Sequence, residues 1–278
     1  MPRATQRLSP IAIHIPLLAW TVVACFPILL IISNSFKARP AIFGHPLVPP
    51  EPATFSLIGF STVLARSRFD IYFANSLIVT CVSLALILLL GAMASWALSE
   101  YRFRGNRFWA LYLALGIMIP IRLGSVSILR MMVSLGLVNT LVALILVYVA
   151  QGLPLAIFIL SEFMAQIPGD MKDAARIDGS SEGWIFARLI LPLLRPVVAT
   201  VAIFTMIPIW NDLWFPLILA PGDRTRTVTL GVQSFIGQYV TDWNAVLASL
   251  TLAMVPVLIL YLLLSRQLIR GLTAGAVK

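Results

Sequence analysis

Charge is scarce in this chain of 278 residues: 20 Lys and Arg, 11 Asp and Glu and 2 His leave only 11% of it charged. A soluble domain carries about 25%, so an ordinary water-exposed surface is excluded. The two cysteines, Cys25 and Cys81, both fall in long apolar runs, which suggests neither a disulfide framework nor a metal site. His14 and His45 lie apart, one in an apolar run and one in a polar stretch, and make no acid–base or metal pair. The phosphate-cradling pattern GxxxxGK[ST] is absent, so the chain does not carry a nucleotide-binding loop of that kind. HExxH is also missing, and no Ser in the apolar runs has a nearby His. A membrane hydrolase or lipid-modifying transferase would need such a constellation at membrane depth. Tandem repeats and low-complexity tracts do not occur.

Apolar sequence is abundant: 60% of residues are hydrophobic and the mean hydropathy is +0.96. This composition marks a polytopic membrane protein. A spanning helix needs roughly 20 mostly apolar residues, and six windows supply them, near 11–32, 71–98, 107–121, 141–161, 195–219 and 244–265. The third window is short, and 122–140 carries Arg122 and Arg130, which fits a separate interfacial helix. The first is too long for a signal-peptide core and is followed by SNSFK rather than a small-residue cleavage site, so it is expected to be retained. The expected fold is all-α, with six transmembrane helices in a single membrane domain over 1–278.

Lys and Arg in the short loops set the orientation. With the N-terminus inside, the inner segments hold Arg3, Arg7, Arg102, Arg104, Arg107, Lys172, Arg176, Arg188, Arg195, Arg266, Arg270 and Lys278. The outer segments hold Lys37, Arg39, Arg66, Arg68, Arg122, Arg130, Arg224 and Arg226. The bias favours cytoplasmic N- and C-termini. YRFRGNR (101–107), in a tight connection between two windows, is its clearest element, and Glu100 with Arg102 and Arg104 reads as an interfacial charge cluster. The net charge of +9 suits anionic lipid heads and needs no nucleic acid. Arg122 and Arg130, eight apart beside the outer end of the third window, fit either lipid phosphate or an anionic ligand such as a sugar phosphate. The outer stretch 33–70, rich in Pro40, Pro46, Pro49, Pro50 and Pro52, is expected to be extended and stiff. A second outer stretch, 220–243, opens with a PGD turn and holds Arg224, Arg226, Gln233, Gln238 and Tyr239.

The segment Asp170–Pro192, DMKDAARIDGSSEGWIFARLILP, is a polar break of 23 residues. A break of this kind must lie outside the hydrocarbon. Asp170 suits an N-cap, with Asp173 three residues on in a capping-box-like pair. Met171, Ala174, Ala175 and Asp178 share one helical face, narrow enough at the alanines for another protein's groove to close on it. Gly179 sits where a left-handed residue would stop the helix. Ser180 or Ser181 can cap the next one, and Trp184, Ile185, Arg188, Leu189 and Pro192 return the chain to the membrane.

A helix–Gly–helix unit by itself fits an amphipathic connector lying on lipid equally well. The full spacing says more. Asp173-Ala174-Ala175 is followed by Arg176, Ile177 and Asp178, then Gly179, then nine residues, then Leu189, Ile190, Leu191 and Pro192. This resembles the EAA loop of permease subunits in binding-protein-dependent ABC importers, with Asp173 in place of Glu and Leu189 in place of Ile. NSFK (34–37), NSLIVT (75–80), LGLVNT (135–140), WNDLWFP (210–216) and GLTAGAVK (271–278) extend the likeness to the smaller sugar-permease subunit of the maltose type.

The resemblance implies a bacterial inner-membrane permease that forms half of a carbohydrate pore with a second, homologous permease. It implies two ATP-binding subunits that hold ATP and Mg, with no cofactor in this chain, and an extracytoplasmic substrate-binding protein. The cytoplasmic loop at about 166–194 would then couple pore to ATPase through Asp173, Ala174, Ala175, Arg176, Asp178, Gly179, Leu189 and Pro192. It also implies that the tail 271–278 contacts the ATPase and that the 220–243 loop reaches the binding protein. In WNDLWFP, Asp212 is an ionisable residue in the fifth window, where it needs a polar cavity or a partner. Trp210 and Trp214, four apart on one face, suit a sugar ring together with Asn211. The competing reading makes Trp214 an interfacial belt residue and pairs Asp212 with a neighbouring helix or the sister permease. The alternative function is a secondary transporter driven by an ion gradient, which would call for paired ionisable residues and inverted repeats.

Overall fold

The computed structural model describes residues 10–237 and 241–274; Arg3, Arg7, Gln238, Tyr239, Lys278 and the end of the tail lie outside them. In chain order the α-helices are α1 (Pro10–Ser35), α2 (Arg39–Gly44), α3 (Ile58–Arg66), α4 (Phe69–Glu100), α5 (Asn106–Met118), α6 (Ser125–Ser134), α7 (Leu141–Met164), α8 (Gly169–Ile177), α9 (Glu182–Trp184), α10 (Leu191–Leu193), α11 (Arg195–Trp210), α12 (Trp214–Leu219), α13 (Val228–Val232) and α14 (Trp243–Ala274). The described residues contain no β-strand, only two isolated bridges.

Among the described residues three helices are long and apolar enough to cross a membrane: α1 from His14, α4 and α7. These are the windows where apolar sequence runs unbroken. The third and fifth windows do not form single straight spans. At 1.5 Å per residue, the 13 residues of α5 reach about 20 Å, short of a hydrocarbon core of about 30 Å. The chain then turns by 85° through Ile121–Gly124 into α6, the separate helix that Arg122 and Arg130 suggest. The fifth window is α11, a break at residues 211–213, and α12; α11 itself follows the loop end at a 74° bend. In the sixth window the apolar stretch Trp243–Ile259 is 17 residues among the described side chains. The structure is an all-helical polytopic membrane protein with three long spans and two bent pairs.

The chain divides into two compact units, one of residues 1–68 with 232–254, the other of 69–231 with 255–278. In the first unit the proline-rich stretch is folded rather than extended. The reason is Lys37, whose ammonium is buried and donates to Asn34 Oδ1 (2.9 Å) and to the carbonyls of His45 (3.0 Å) and Pro46 (3.3 Å). Three acceptors satisfy its three donors and curl 37–46 back on the end of α1, while burial pushes the amine's pKa down. Asn244 donates to the Lys37 carbonyl at 2.7 Å, and Gly59 lies so close to Asn244 that a Cβ would sit 2.3 Å from its carbonyl oxygen.

The second unit is built on α4 against α7. Small residues let these helices approach: a Cβ on Gly152 would fall 2.5 Å from Ile87 Cδ1, and one on Gly91 would fall 3.1 Å from Ala156 Cβ. Close approach through small residues is how helices associate in lipid, where burial supplies little driving force. Ser95 donates to the Ile157 carbonyl across the same seam (3.1 Å). Two of the short motifs act as anchors here. Asn75 donates to the carbonyls of Arg224 and Arg226, and Ser76 accepts from Val228 N, so NSLIVT holds the 224–228 stretch. In LGLVNT, Gly136 and Asn139 are left-handed (φ 66° and 59°) and Thr140 caps α7 at Ala143 N. Asn139 also accepts from Gly222 N (3.0 Å).

Candidate functional site

The polar break forms the helix–Gly–helix unit, with its start shifted. The first helix begins at Gly169, directly after Pro168, which holds the N-cap position without a side-chain cap. Asp170 is therefore already helical and sits in the first turn, where its charge meets the helix dipole. Asp173 makes no capping box; it pairs with Arg176 Nη1 at 2.8 Å. At the other end Gly179 is left-handed (φ 80°). Ser180 N donates to the Ala175 carbonyl and Gly179 N to that of Arg176, the paired bonds that close a helix on a glycine. A Cβ at Gly179 would meet nothing within 4 Å, so glycine is needed there for its backbone alone. Ser181, rather than Ser180, caps the next helix by accepting from Trp184 N (3.3 Å). A π-helical turn over Ile185–Ile190 then carries Leu189 against the core and leads to the exposed Pro192.

The two alanines part company. Met171, Asp173, Ala174, Ile177, Asp178 and Gly179 are exposed, whereas Lys172, Ala175 and Arg176 turn inward, with Ala175 packed against the core. The open face is thus one alanine wide, flanked by Met171 and Ile177.

What holds the inward face is a charge cluster the linear sequence conceals. Glu100, the last residue of α4, does not serve Arg102 or Arg104. Its carboxylate, with a side chain 9% exposed, accepts from Lys172 Nζ through Oε2 and from Arg176 Nη2 through Oε1. Arg176 also donates through Nε to Glu182 Oε1 (2.8 Å). Tyr101 donates its hydroxyl to Glu182 Oε2 (3.1 Å), and Lys172 lies over the Trp96 ring. Arg176, donating to Glu182 and Glu100, holds its proton more firmly than usual, and its bond to Glu182 draws that carboxyl's pKa down. Burial, then Glu182, pushes the Tyr101 phenol up.

The second candidate group is drawn apart by the break after α11. Trp210 is buried at the end of α11, edge-on to Phe73 at 6.0 Å, while Trp214 opens α12 and is 43% exposed. They do not share a face, because the three residues between them are not helical. Asp212 is buried and fully engaged. It accepts from Arg122 Nη2 (3.2 Å), the Tyr148 hydroxyl (2.9 Å) and the backbone amides of Trp214 (3.2 Å) and Phe215 (3.1 Å). It caps α12 as an N-terminal carboxylate and finds its cation on its own chain. Trp214 Nε1 donates to Ser125 Oγ (2.8 Å), which fixes the indole. Asn211 is exposed and bonds back to the Ile207 carbonyl. No group of three or more His, Cys, Asp or Glu able to hold a metal occurs among the described residues.

Sequence reasoning missed Glu100, Tyr101, Glu182, Arg122 as the partner of Asp212, and Tyr148. A usable signal was that Lys172 and Arg176 stand four apart on one face.

Residues 87–274 match the family model of the binding-protein-dependent transport system inner membrane component. The trehalose/maltose transport system permease protein MalG of Thermococcus litoralis is 31% identical over 275 residues, 98% of each chain. The diacetylchitobiose uptake system permease protein NgcG of Streptomyces coelicolor is 31% identical over 264 residues, covering 94% of this chain and 87% of that one. In fold, the chain resembles a crystal structure of a bacterial ABC transporter for import of the acidic polysaccharide alginate. That match has a TM-score of 0.79 and 20% identity, over 96% of this chain and 98% of the other. A polar helix–Gly–helix loop on a bundle of bent and straight apolar helices is thus matched in sequence along most of the chain, and the protein belongs to the inner membrane components of binding-protein-dependent transport systems, the permeases of ABC importers.

Proposed function

We propose that this permease forms half of the translocation pore for a carbohydrate, and that residues 166–194 couple it to a separate ATPase subunit. The observation that carries the coupling role is the divided surface of α8. One side is pinned to the end of α4, while Met171, Asp173, Ala174, Ile177 and Asp178 stay open for a partner. The carbohydrate rests on the named relatives, which serve trehalose/maltose and diacetylchitobiose systems. In this reading a second, homologous permease completes the pore, two ATP-binding subunits hold ATP and Mg, and an extracytoplasmic binding protein delivers the ligand. The excess of Lys and Arg in the loop-side segments supports a cytoplasmic loop and cytoplasmic termini.

The ion-gradient alternative has no support: the family is that of ABC importers, and Asp212, its one candidate residue, is spent on internal bonds. The pathway residues narrow for the same reason. Trp210 is buried and Asp212 is engaged, which leaves Asn211 and the Trp214 face as surfaces that could meet a sugar.

The test is ATP hydrolysis by the complete complex in lipid, with its binding protein, across a panel of mono- and oligosaccharides and glycerol phosphates. Stimulation by a saccharide, lost when Gly179 is replaced by Val, is the expected result. Stimulation only by a non-carbohydrate overturns the substrate, and failure to associate with any ATPase overturns the coupling role.

A further inference from the structure

The loop's open face explains how a partner could seat on it, but not how its displacement would reach the spanning helices. The link is on the inner side. Residues 172 and 176 are one helical turn apart on α8, and both reach the same carboxylate, one oxygen each. That carboxylate belongs to Glu100, the end of a 32-residue helix packed along α7 through Gly91, Gly152 and Ser95. The side chain is 9% exposed, too buried to be a decoration of the surface. The same guanidinium also holds Asp173 of its own helix and Glu182 of the next. Three carboxylates from three segments therefore converge on one planar fork, whose several donors suit such shared pairing.

We propose that Glu100 is the positioning residue that transmits movement of α8 into α4 and so into the pore. The proposal rests on the coupling role assigned above and names the contact through which that coupling runs inside this chain. A buried ion pair is a poor source of net stability, because desolvation offsets most of the attraction, but it is directional. An apolar contact would let α8 slide. Two cations gripping one carboxylate resist both sliding and rotation, so a push on α8 moves the end of α4. Lys172 against Trp96 and the Tyr101–Glu182 bond tie the neighbouring residues of α4 and its exit to the same loop.

The experiment uses the complete transporter in lipid vesicles and reads ligand imported per ATP hydrolysed. With Glu100→Gln this ratio falls roughly tenfold, a size typical of coupling between two sites. Glu100→Asp, which keeps a carboxylate for both cations, retains most of the ratio. Arg102→Gln, an exposed neighbour outside the cluster, leaves it unchanged. An unaltered ratio in Glu100→Gln overturns the proposal. If Glu100→Gln does not assemble, Lys172→Gln, which frees one oxygen of Glu100 and leaves Arg176 on the other, decides: assembly with a lowered ratio supports the proposal, and an unaltered ratio or no assembly overturns it. Failure of the unaltered complex to couple hydrolysis to import would instead sink the coupling role itself.

Discussion

The second unit carries two polar clusters, and they solve the problem of charge in an apolar protein in opposite ways. Around Arg176 two cations meet three carboxylates, and exposure grades from Glu100 at 9% through Arg176 at 33% to Asp173 at 65%. Around Asp212 a single buried carboxylate meets four donors, two of them backbone amides, with Arg122 left 67% exposed. The first arrangement can trade partners at its open edge: Asp173 or Glu182, on leaving Arg176, is replaced by water at modest cost. The second cannot, since its carboxylate is buried and the amides are fixed by α12. The first has the chemistry of a joint, the second that of a rivet.

The largest effect is expected at the rivet. Asp212→Ala removes a charge-assisted bond to Tyr148 and the cap of α12, together roughly 3 kcal/mol. Arg122→Gln removes a partner that is mostly in solvent and is expected to cost below about 1 kcal/mol. Thermal unfolding of the purified complex ranks them. Equal losses would show that Arg122, and not the cap and the phenol, is what Asp212 serves, and the comparison would collapse.

The two clusters were not equally legible. α1, α4 and α7 follow from unbroken apolar runs, and the helix–Gly–helix loop from local signals: Pro168, Gly179 and Ser181 act on their own backbone. The clusters are pairings across 72 and 90 residues, and periodicity carries no information at that range. Worse, Arg102 and Arg104 stand beside Glu100 in sequence and invite the wrong pairing. The bends misled for a related reason. A helical count joins Trp210 to Trp214 only if the helix continues, and here it stops at Trp210 while the Asp212 side chain accepts the first amides of a new helix. NSFK and NSLIVT registered only as likenesses, although Lys37 curls the residues that follow it and Asn75 ties down a loop 149 residues away. Polar residues at the ends of apolar runs were the overlooked signal.

A backbone comparison sharpens the contrast with a middle-sized effect. Gly136 and Gly179 are both left-handed, and neither would bring a Cβ within 4 Å of a neighbour. Replacing either with Ala is expected to cost about 1–2 kcal/mol, and replacing either with Asn less, since Asn tolerates that conformation. The unfolding losses should match. Coupled hydrolysis should suffer only in Gly179→Ala, because only that turn belongs to the loop proposed to meet the ATPase. Matching losses in both readouts would mean that coupling merely follows stability.

The smallest effect separates the clusters by solvent. The exposed arms at Asp173 and Glu182 are open to ions, and the screening length shrinks from about 10 Å at 0.1 M salt to about 3 Å at 1 M. Amide exchange at Ser180–Trp184 should therefore quicken with salt, while exchange at Trp214 and Phe215, bonded to the buried Asp212, should not change. Acid acts on the same arm. Arg176, and then Tyr101, favour the ionised Glu182, so its folded pKa lies below the unfolded value of about 4.3. The resulting stabilisation is complete above that value and disappears as pH falls through the lower, folded one. Between pH 6 and 8 the loop should be indifferent to pH, and below about pH 4 its exchange should rise as Glu182 takes a proton and releases Arg176. Glu182→Gln should remove this acid response while leaving the protection of Trp214 and Phe215 intact. A pH response that survives Glu182→Gln would shift it to Glu100, the buried carboxylate that Arg176 shares with Lys172, and make the buried half of the joint the labile one.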